Sequence, residues 1–572
     1  MDYKKNIALA LSKQLLPLGL TPDKITALLE TPPKPDMGNV SFPCFVIARE
    51  LKRSPMEIAK DLEGKMGPIN GVQKVAAIGG YVNFFVDTQK QSTAVLSAIL
   101  KEKKFFGRQK QPKKIRVMIE YSGPNTNKPL HIGHLRNNTL GMALSNLHEN
   151  LGFDVIKANI VNDRGVHICK SMLAYQLFGT GVTPKSEMKK SDHLVGDFYV
   201  KFAQESEQNP ALALQVQTML QQWENNDPKV RALWKKMSKW ALDGFKETYK
   251  RYGTEFDVWF FESEFYNKAK PILDAGLKKG VFEKREDGAI VAKLNQFGLP
   301  EKVVLRSDGT SIYITQDLAL TVHKFEEYKL NEAIWVVATE QNLYFEQLFK
   351  IFELLEYPWV KNCHHVSYGL VHLPEGRMKS REGKVVDADD LLNDLEKLSE
   401  EEIQKRYPDI ASVDKKKRAK AIALAAIKFF MLKFDAKKDF VFNPKESLSF
   451  EGETGPYLLY SYARAKSILR KARPKEQVYQ FGLLLHPLEH ALIRLLEAYP
   501  KKLSETHRQL SLHVLCHYLI GLAAAFNSFY HEVPVLSADE ETKNARLGLV
   551  LATATVLSNG LELLGIHPLE KM

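Results

Sequence analysis

Apolar residues recur along this chain in changing rhythms, and the changes divide it. Helix-spaced apolar positions at 7–16 and 55–66, followed by a strand-like run at 80–86, predict a small α+β unit over residues 1–110. A lysine-rich hinge with a proline inside it, 110–114, closes that unit. Residues 115–121 then alternate towards β, Gly123-Pro124-Asn125 breaks the strand, 134–151 is helix-spaced, and 155–161 is a second strand. Strands at 334–338 and 366–370 bracket a helical stretch at 343–355, so 111–410 reads as a parallel sheet with helices on its faces. Within it, about 183–228 is rich in Gln, Glu and Lys and reads as a solvated insertion without identifiable chemistry. From Asp414 onward the period is helical at 419–433, 457–471, 486–499, 510–530 and 544–564, which predicts an all-α unit over 411–572.

Composition narrows the class. A chain of 572 residues is too long for one core, and 44% hydrophobic with 26% charged residues is ordinary for a globular protein. No stretch approaches the roughly 18 apolar residues of a membrane span. The opening MDYKKNIALALSKQLL lacks an apolar signal core, so a cytoplasmic, non-membrane protein is expected. Cys44, Cys169, Cys363 and Cys516 form no CxxC pair, and Cys363-His364-His365 offers too few ligands at zinc spacing, so no metal site is expected. The net charge is +12, and residues 411–572 hold 23 Lys and Arg against 16 Asp and Glu, a net +7. That localised excess suits a polyanion such as RNA.

Two segments carry candidate chemistry. The first, Glu120-Tyr-Ser-Gly-Pro-Asn-Thr-Asn-Lys-Pro-Leu-His-Ile-Gly-His134, sits where the first strand of the sheet hands over to its helix. Gly133 allows close approach of a nucleotide, the helix start supplies free N–H groups, and His131 and His134 project from its first turn, all suited to phosphate. The second, Gly376-Arg-Met-Lys-Ser-Arg-Glu-Gly-Lys-Val385, is a glycine-flanked basic loop. No GxxxxGK[ST] phosphate loop is present, so a nucleotide must be held another way.

His131-Ile132-Gly133-His134 resembles the HIGH signature of class I aminoacyl-tRNA synthetases, and the basic loop resembles their KMSKS loop. Aligned as Arg377-Met378-Lys379-Ser380-Arg381, the loop has serine where the second lysine falls. Arginyl-tRNA synthetases are similar in this respect, and there a lysine just before HIGH is taken to replace the lost charge; here that is Lys128. Other stretches resemble the same family: Asn162-Asp-Arg-Gly165 with His167, Ser307-Asp-Gly-Thr310 leading to Tyr313-Ile-Thr-Gln-Asp317, Gln341, Glu451-Gly-Glu-Thr-Gly-Pro-Tyr457, and Leu563-Leu-Gly-Ile566 running to Met572.

The resemblance implies an α/β, Rossmann-like catalytic domain between an N-terminal α+β domain that meets the tRNA elbow and a helical anticodon-binding domain. It implies ATP with Mg2+, L-arginine and tRNA(Arg) as what the chain handles, a monomer, and activation through arginyl-adenylate that needs bound tRNA. The expected catalytic residues are His131, His134, Lys128 and Lys379, with Gly133, Arg377, Met378 and Arg381 also around ATP. A guanidinium is a planar cation with five donors, best met by carboxylates. Glu120 and Asp317 are expected to supply them, with Tyr313 on the face of Asp317 if both lie on one helical turn. Ser122, Asn125 and Gln341 are expected around the α-amino and carboxylate ends. Tyr457, Tyr460, Arg464 and Tyr530 pair aromatic rings with a cation, which suits splayed anticodon bases. Tyr81 and Asn83 are expected at the elbow.

A hydrogen-bonding pocket rejects analogues well enough to need no editing module, and the chain leaves little room for one. The alternatives are a synthetase for glutamate or cysteine, a non-catalytic RNA-binding relative, and a small nucleotidyltransferase. Glu120 and Asp317 stand against glutamate, the missing zinc-type cysteines against cysteine, the retained His134 and basic loop against the non-catalytic relative, and the two flanking domains against the nucleotidyltransferase.

Overall fold

The structure is a computed structural model that describes residues 3–30, 32–34, 37–266, 268–374, 386–472 and 479–572. The N-terminal unit packs helix α1 (Tyr3–Leu15) and helix α2 (Pro55–Lys65) on an antiparallel sheet of strands β1 (Val40–Pro43), β2 (Val72–Ile78) and β3 (Tyr81–Val86), in the order β1-β3-β2. Ser54 and Glu57 form a reciprocal capping box and Pro55 occupies the first turn, which fixes where α2 begins. The apolar cluster of this unit runs from Ile7 to Phe84. Helix α3 (Thr88–Glu102) belongs elsewhere: Leu96 and Ile99, with Phe106 beyond it, join the large central core shared with the C-terminal helices.

The catalytic sheet has five strands: β4 (Arg116–Glu120), β5 (Asp154–Val161), β6 (Val258–Phe261), β7 (Glu332–Ala338) and β8 (Cys363–Tyr368), in the order β8-β7-β4-β5-β6. Every neighbouring pair is parallel. Parallel strands end at one edge, and the order reverses beside β4, which makes the crevice between the ends of β4 and β7 the place to look for a site. Helix α4 (Ile132–Asn150) follows β4, helix α9 (Tyr313–Glu327) precedes β7 and helix α10 (Asn342–Leu354) follows it.

The stretch read as a solvated insertion is instead a packed helical module. After helix α5 (Val166–Phe178), helices α6 (Ser191–Gln208), α7 (Ala211–Glu224) and α8 (Pro228–Tyr252) share a core that includes Phe198, Val216, Met219, Trp223 and Met237. Polar outer faces dominate the composition there, while the i, i+3, i+4 positions are apolar and turn inward.

Helix α11 (Ala388–Arg406) leads to the helical unit: α12 (Ser412–Leu432), α13 (Gly455–Ala472), α14 (Pro487–Gln509), α15 (His513–Glu532) and α16 (Glu540–Leu563). The five helices expected there are all present. Gln91 of α3 donates to Glu497 at 2.7 Å, tying the N-terminal side of the chain to this bundle. Among the described residues no helix is long and apolar enough to cross a membrane.

Candidate active site

His131 is the N-cap of α4. Its Nδ1 accepts the Gly133 backbone N–H at 3.1 Å, and its own backbone N–H donates to His134 Nδ1 at 3.1 Å. The two rings lie 3.9 Å apart between centroids. A Cβ on Gly133 would sit 3.0 Å from the His131 ring, so glycine is needed there for the imidazole as well as for any ligand. Burial, then the nearby Lys128 charge, pushes His131 down to about 4; burial and then the His131 and Lys128 charges push His134 well below its ordinary value. Both rings are therefore neutral at pH 7. With each Nδ1 accepting, the ring proton resides on Nε2, and the pair offers two N–H donors. Burial also lowers the ammonium of half-buried Lys128.

Asn137, one turn further along α4, ties the strand ends together. Its oxygen accepts from Ser122 N at 2.5 Å and its amide donates to Val336 O at 2.8 Å and Tyr368 Oη at 3.1 Å. The Ser122 hydroxyl lies 2.6 Å from Tyr249 Oη, and its backbone is left-handed at φ 80°. Asn125 bridges to Asn162 of the segment after β5, while Gln341 is exposed in the turn after β7.

Residues at and beyond the ends of the strands bring a group of carboxylates close enough to act on one another. Glu120, at the end of β4, forms a buried ion pair with Lys324 of α9. Standing two turns earlier on α9, Asp317 accepts from the Tyr344 hydroxyl. Burial pushes Asp317 up to about 6, the Tyr344 hydrogen bond opposing and the Glu120 charge adding to the rise. Glu262, the first residue after β6, is pushed up to about 7 by burial, with Arg164 and Gln316 opposing and the Asp163 and Asp317 charges reinforcing. Its Oε2 is buried without a partner among the described residues. Tyr313 begins the α9 stripe at the edge of this group, 65% exposed. Thus Glu120 differs from expectation, being already neutralised by Lys324, whereas Glu262, Lys324 and Tyr344 were not foreseen. Glu262 follows a short strand, 258–261, that the apolar run Val258-Trp-Phe-Phe261 could have revealed.

The Asn162–Gly165 element is structural in its contacts. Asp163 accepts from the backbone and hydroxyl of Ser263 at 2.9 and 2.7 Å, and Arg164 pairs with Glu224 at 2.7 Å. Of the basic loop, Arg377, Met378, Lys379 and Arg381 lie outside the described residues. The chain beyond them returns against the histidine motif: Ile132 N donates to Val386 O at 3.0 Å, and Ala388 N to Leu130 O at 3.0 Å.

On the helical unit, a cleft of about 770 Å³ is lined by Tyr457, Tyr460, Arg464 and Asn527. Arg464 donates to Asn527 at 2.6 Å and Tyr460 Oη at 3.0 Å, and its guanidinium lies 4.7 and 4.9 Å from the Tyr460 and Tyr530 rings. Tyr81 packs edge-on against exposed Phe45 at 5.2 Å. Asn83 corrects the expectation: it is 2% exposed on the central strand of its sheet, paired with both neighbours, and presents no side chain to an RNA.

A histidine pair at the start of the first crossover helix of a parallel sheet, followed by a helical bundle, is the layout of a class I aminoacyl-tRNA synthetase. Residues 95–444 match the model of tRNA synthetases class I (R), catalytic domain, and residues 1–86 and 458–572 match the arginyl tRNA synthetase N-terminal domain and the DALR anticodon binding domain. The chain belongs to the arginyl-tRNA synthetases, which charge tRNA(Arg) with arginine using ATP. It is 44% identical to the arginine–tRNA ligase of Treponema denticola, over 97% of this chain and 96% of that one. That of Parabacteroides distasonis is 39% identical, over 94% of each. The solved Thermus thermophilus arginyl-tRNA synthetase has a TM-score of 0.79 at 27% identity, covering 99% of both chains.

Proposed function

We propose that the charging reaction proceeds in two steps at the sheet edge. The arginine carboxylate attacks the ATP α-phosphorus, the bond to the β-phosphate oxygen breaks, and arginyl-adenylate and pyrophosphate form. A hydroxyl of the terminal tRNA ribose then attacks the acyl carbon and AMP leaves. The Nε2–H groups of His131 and His134, with Lys128, hold the phosphates, and Lys379, Arg377 and Arg381 of the basic loop join them as charge builds on the leaving group. Gly133 and Met378 border the nucleotide. No protein nucleophile is used; catalysis is positioning and charge stabilisation.

The observation that carries the reading is the pocket of raised, under-compensated carboxylates at Asp317 and Glu262, which a guanidinium would neutralise. Tyr313 closes its lip, and Ser122, Asn125 and Gln341 serve the α-amino and carboxylate ends. Glu120 contributes through its pair with Lys324, setting the charge balance beside Asp317. Tyr457, Tyr460, Arg464 and Tyr530 receive the anticodon loop, and Tyr81 the elbow. Magnesium enters as the chelate of ATP, where it neutralises phosphate charge. Among the described residues the one His and carboxylate group with ligand spacing, Asp192, His193 and Asp389, already holds the Lys190 ammonium. A monomer working in the cytoplasm, where tRNA is used, completes the reading.

ATP–pyrophosphate exchange across the twenty amino acids, with and without tRNA, tests the reading. Exchange with arginine that requires tRNA is expected. Exchange with arginine alone removes the tRNA requirement, and exchange with another amino acid overturns the pocket.

A further inference from the structure

Besides the contact of Tyr249 with Ser122, the helical module of α6–α8 reaches the catalytic centre at two further places. Just before α6, the Lys190 ammonium contacts Asp192 at 3.0 Å, Asp389 at 2.7 Å and the Thr248 hydroxyl of α8 at 2.6 Å. Asp389 also accepts from Thr248 at 3.0 Å and lies 3.4 Å from His193 Nε2, while Arg251 of α8 donates to its backbone carbonyl at 3.3 Å. Asp192 is fully buried, and a Cβ on Gly244 of α8 would stand 2.2 Å from its oxygen, so glycine is required where the two helices close on it. Beyond this cluster, a Cβ on Gly196 of α6 would sit 2.8 Å from Pro129, beside Lys128.

Both contacts end on the backbone that frames the histidine pair. Asp387, whose carboxylate caps α11 through Asp389 N at 2.8 Å and Asp390 N at 3.1 Å, bridges to His131 by backbone pairing. Its carboxylate lies 3.5 Å from His193. Segments 128–131 and 386–389 are therefore held side by side, and the module grips each of them.

We infer that the α6–α8 module is a positioning clamp for the phosphate site, with Lys190 and Asp389 as its positioning residues, acting through Asp387 and the His131 backbone. A half-buried ammonium shared by two carboxylates and a hydroxyl is directional, and losing any member leaves its neighbours one partner short. Such a clamp fixes where the Nε2–H groups point rather than how arginine is bound: among the described residues Lys190 and Asp389 make no hydrogen bond to Asp317, Glu262, Glu120 or Ser122, and α8 reaches Ser122 separately, through Tyr249. Small displacements of a phosphate-binding donor cost rate more than affinity.

The inference rests on His131 and His134 serving the phosphates, so His134→Asn is measured beside the clamp variants. In the full-length enzyme, Lys190→Met and Asp389→Asn are each expected to lower kcat of arginine-dependent pyrophosphate exchange by about tenfold or more. KM for arginine should stay within about twofold. The double variant should be no slower than the worse single variant, because the two act as a unit, and Lys190→Arg should recover part of the rate. Thr248→Val, which removes one hydroxyl, should show the same pattern at about threefold and covers the case in which the charged variants fail to fold. Unchanged kcat with only a lowered thermal midpoint overturns the clamp, as do losses that multiply in the double variant. If His134→Asn leaves kcat intact, the phosphate role itself fails.

Discussion

The hydroxyl of Tyr344 donates to one oxygen of Asp317, and this bond on a buried carboxylate leaves Asp317 raised to about 6 rather than returned to its ordinary range. Glu262, at about 7, shares the pocket. Both must be ionised to pair with a guanidinium, and both gain protons as pH falls through 7 and then 6. Consequently kcat/KM for arginine should fall by roughly tenfold between pH 8 and pH 6 while kcat changes less. Steady-state kinetics across that range check it, and a flat kcat/KM profile would remove the carboxylates from arginine recognition.

Removing one carboxylate gives a sharper test. Asp317→Asn and Glu262→Gln keep volume but delete a charge that the proposed reading pairs with the guanidinium. Truncating a partner of a buried charge pair costs about 2–5 kcal/mol, so KM for arginine should rise by about 30-fold or more in each. Binding of tRNA, measured by filter retention, should be unchanged. Normal arginine KM in Glu262→Gln would confine recognition to Asp317.

The histidine pair has its own signature in acid. His131 is held near 4 by burial, whereas an unfolded histidine titrates near 6.5, so between those values the unfolded chain binds protons that the native one does not. The stability this neutral ring contributes is present above about 6.5 and declines as pH falls towards 4. His148, also pushed to about 4 by burial, acts in the same direction. Thermal melts should show the midpoint falling across that window, and His148→Phe should flatten part of the fall.

Much of this was legible before the fold was known, because strong periodicity and turn residues mark where elements start. The strand before Gly123, the helix that opens at Ile132 and the five C-terminal helices follow from apolar spacing alone. What spacing could not give was pairing at long range. Lys324 lies on the stripe of Tyr313 and Asp317, three turns on, but its meeting with Glu120 depends on β4 and β7 being neighbours. For Glu262 the sequence carries only a weak signal, the apolar run of the four-residue strand 258–261 just before it. The α6–α8 module was misjudged because glutamine and lysine on outer faces outweigh a single apolar stripe in composition. Asn83 was placed by resemblance, and only strand order shows that it is central and buried.

Arg136 shows the same long-range pairing at its most buried. Its guanidinium, wholly enclosed, donates to the carbonyls of Gly369, Leu370, Ala436 and Lys438 and lies 4.6 Å from the Phe440 ring. No carboxylate forms an ion pair with it among the described residues, and burial lowers it to about 10, with the Tyr368, Asp439 and Asp435 charges opposing. Arg136→Met would leave those carbonyls without a donor and should destabilise the enzyme by about 3–5 kcal/mol. A thermal midpoint within a degree of wild type would show that water or neighbouring amides replace it.

Arg464 tests the anticodon cleft by geometry rather than charge. Its two N–H groups reach Asn527 and Tyr460 at once, and its guanidinium lies 4.7 Å from the Tyr460 ring and 4.9 Å from the Tyr530 ring. A lysine keeps the charge but has neither the fork nor the flat face. Arg464→Lys should therefore raise KM for tRNA by about tenfold, in the range of one lost base or backbone contact. At saturating tRNA, kcat and the arginine KM should match wild type, since the cleft shares no residue with the carboxylate pocket. Tyr460→Phe keeps the ring and loses only the hydroxyl, so its effect should be smaller, about threefold. If Arg464→Lys binds tRNA normally and only melts earlier, the Arg464, Asn527 and Tyr457 network is packing between α13 and α15, and the anticodon must be read elsewhere on the bundle.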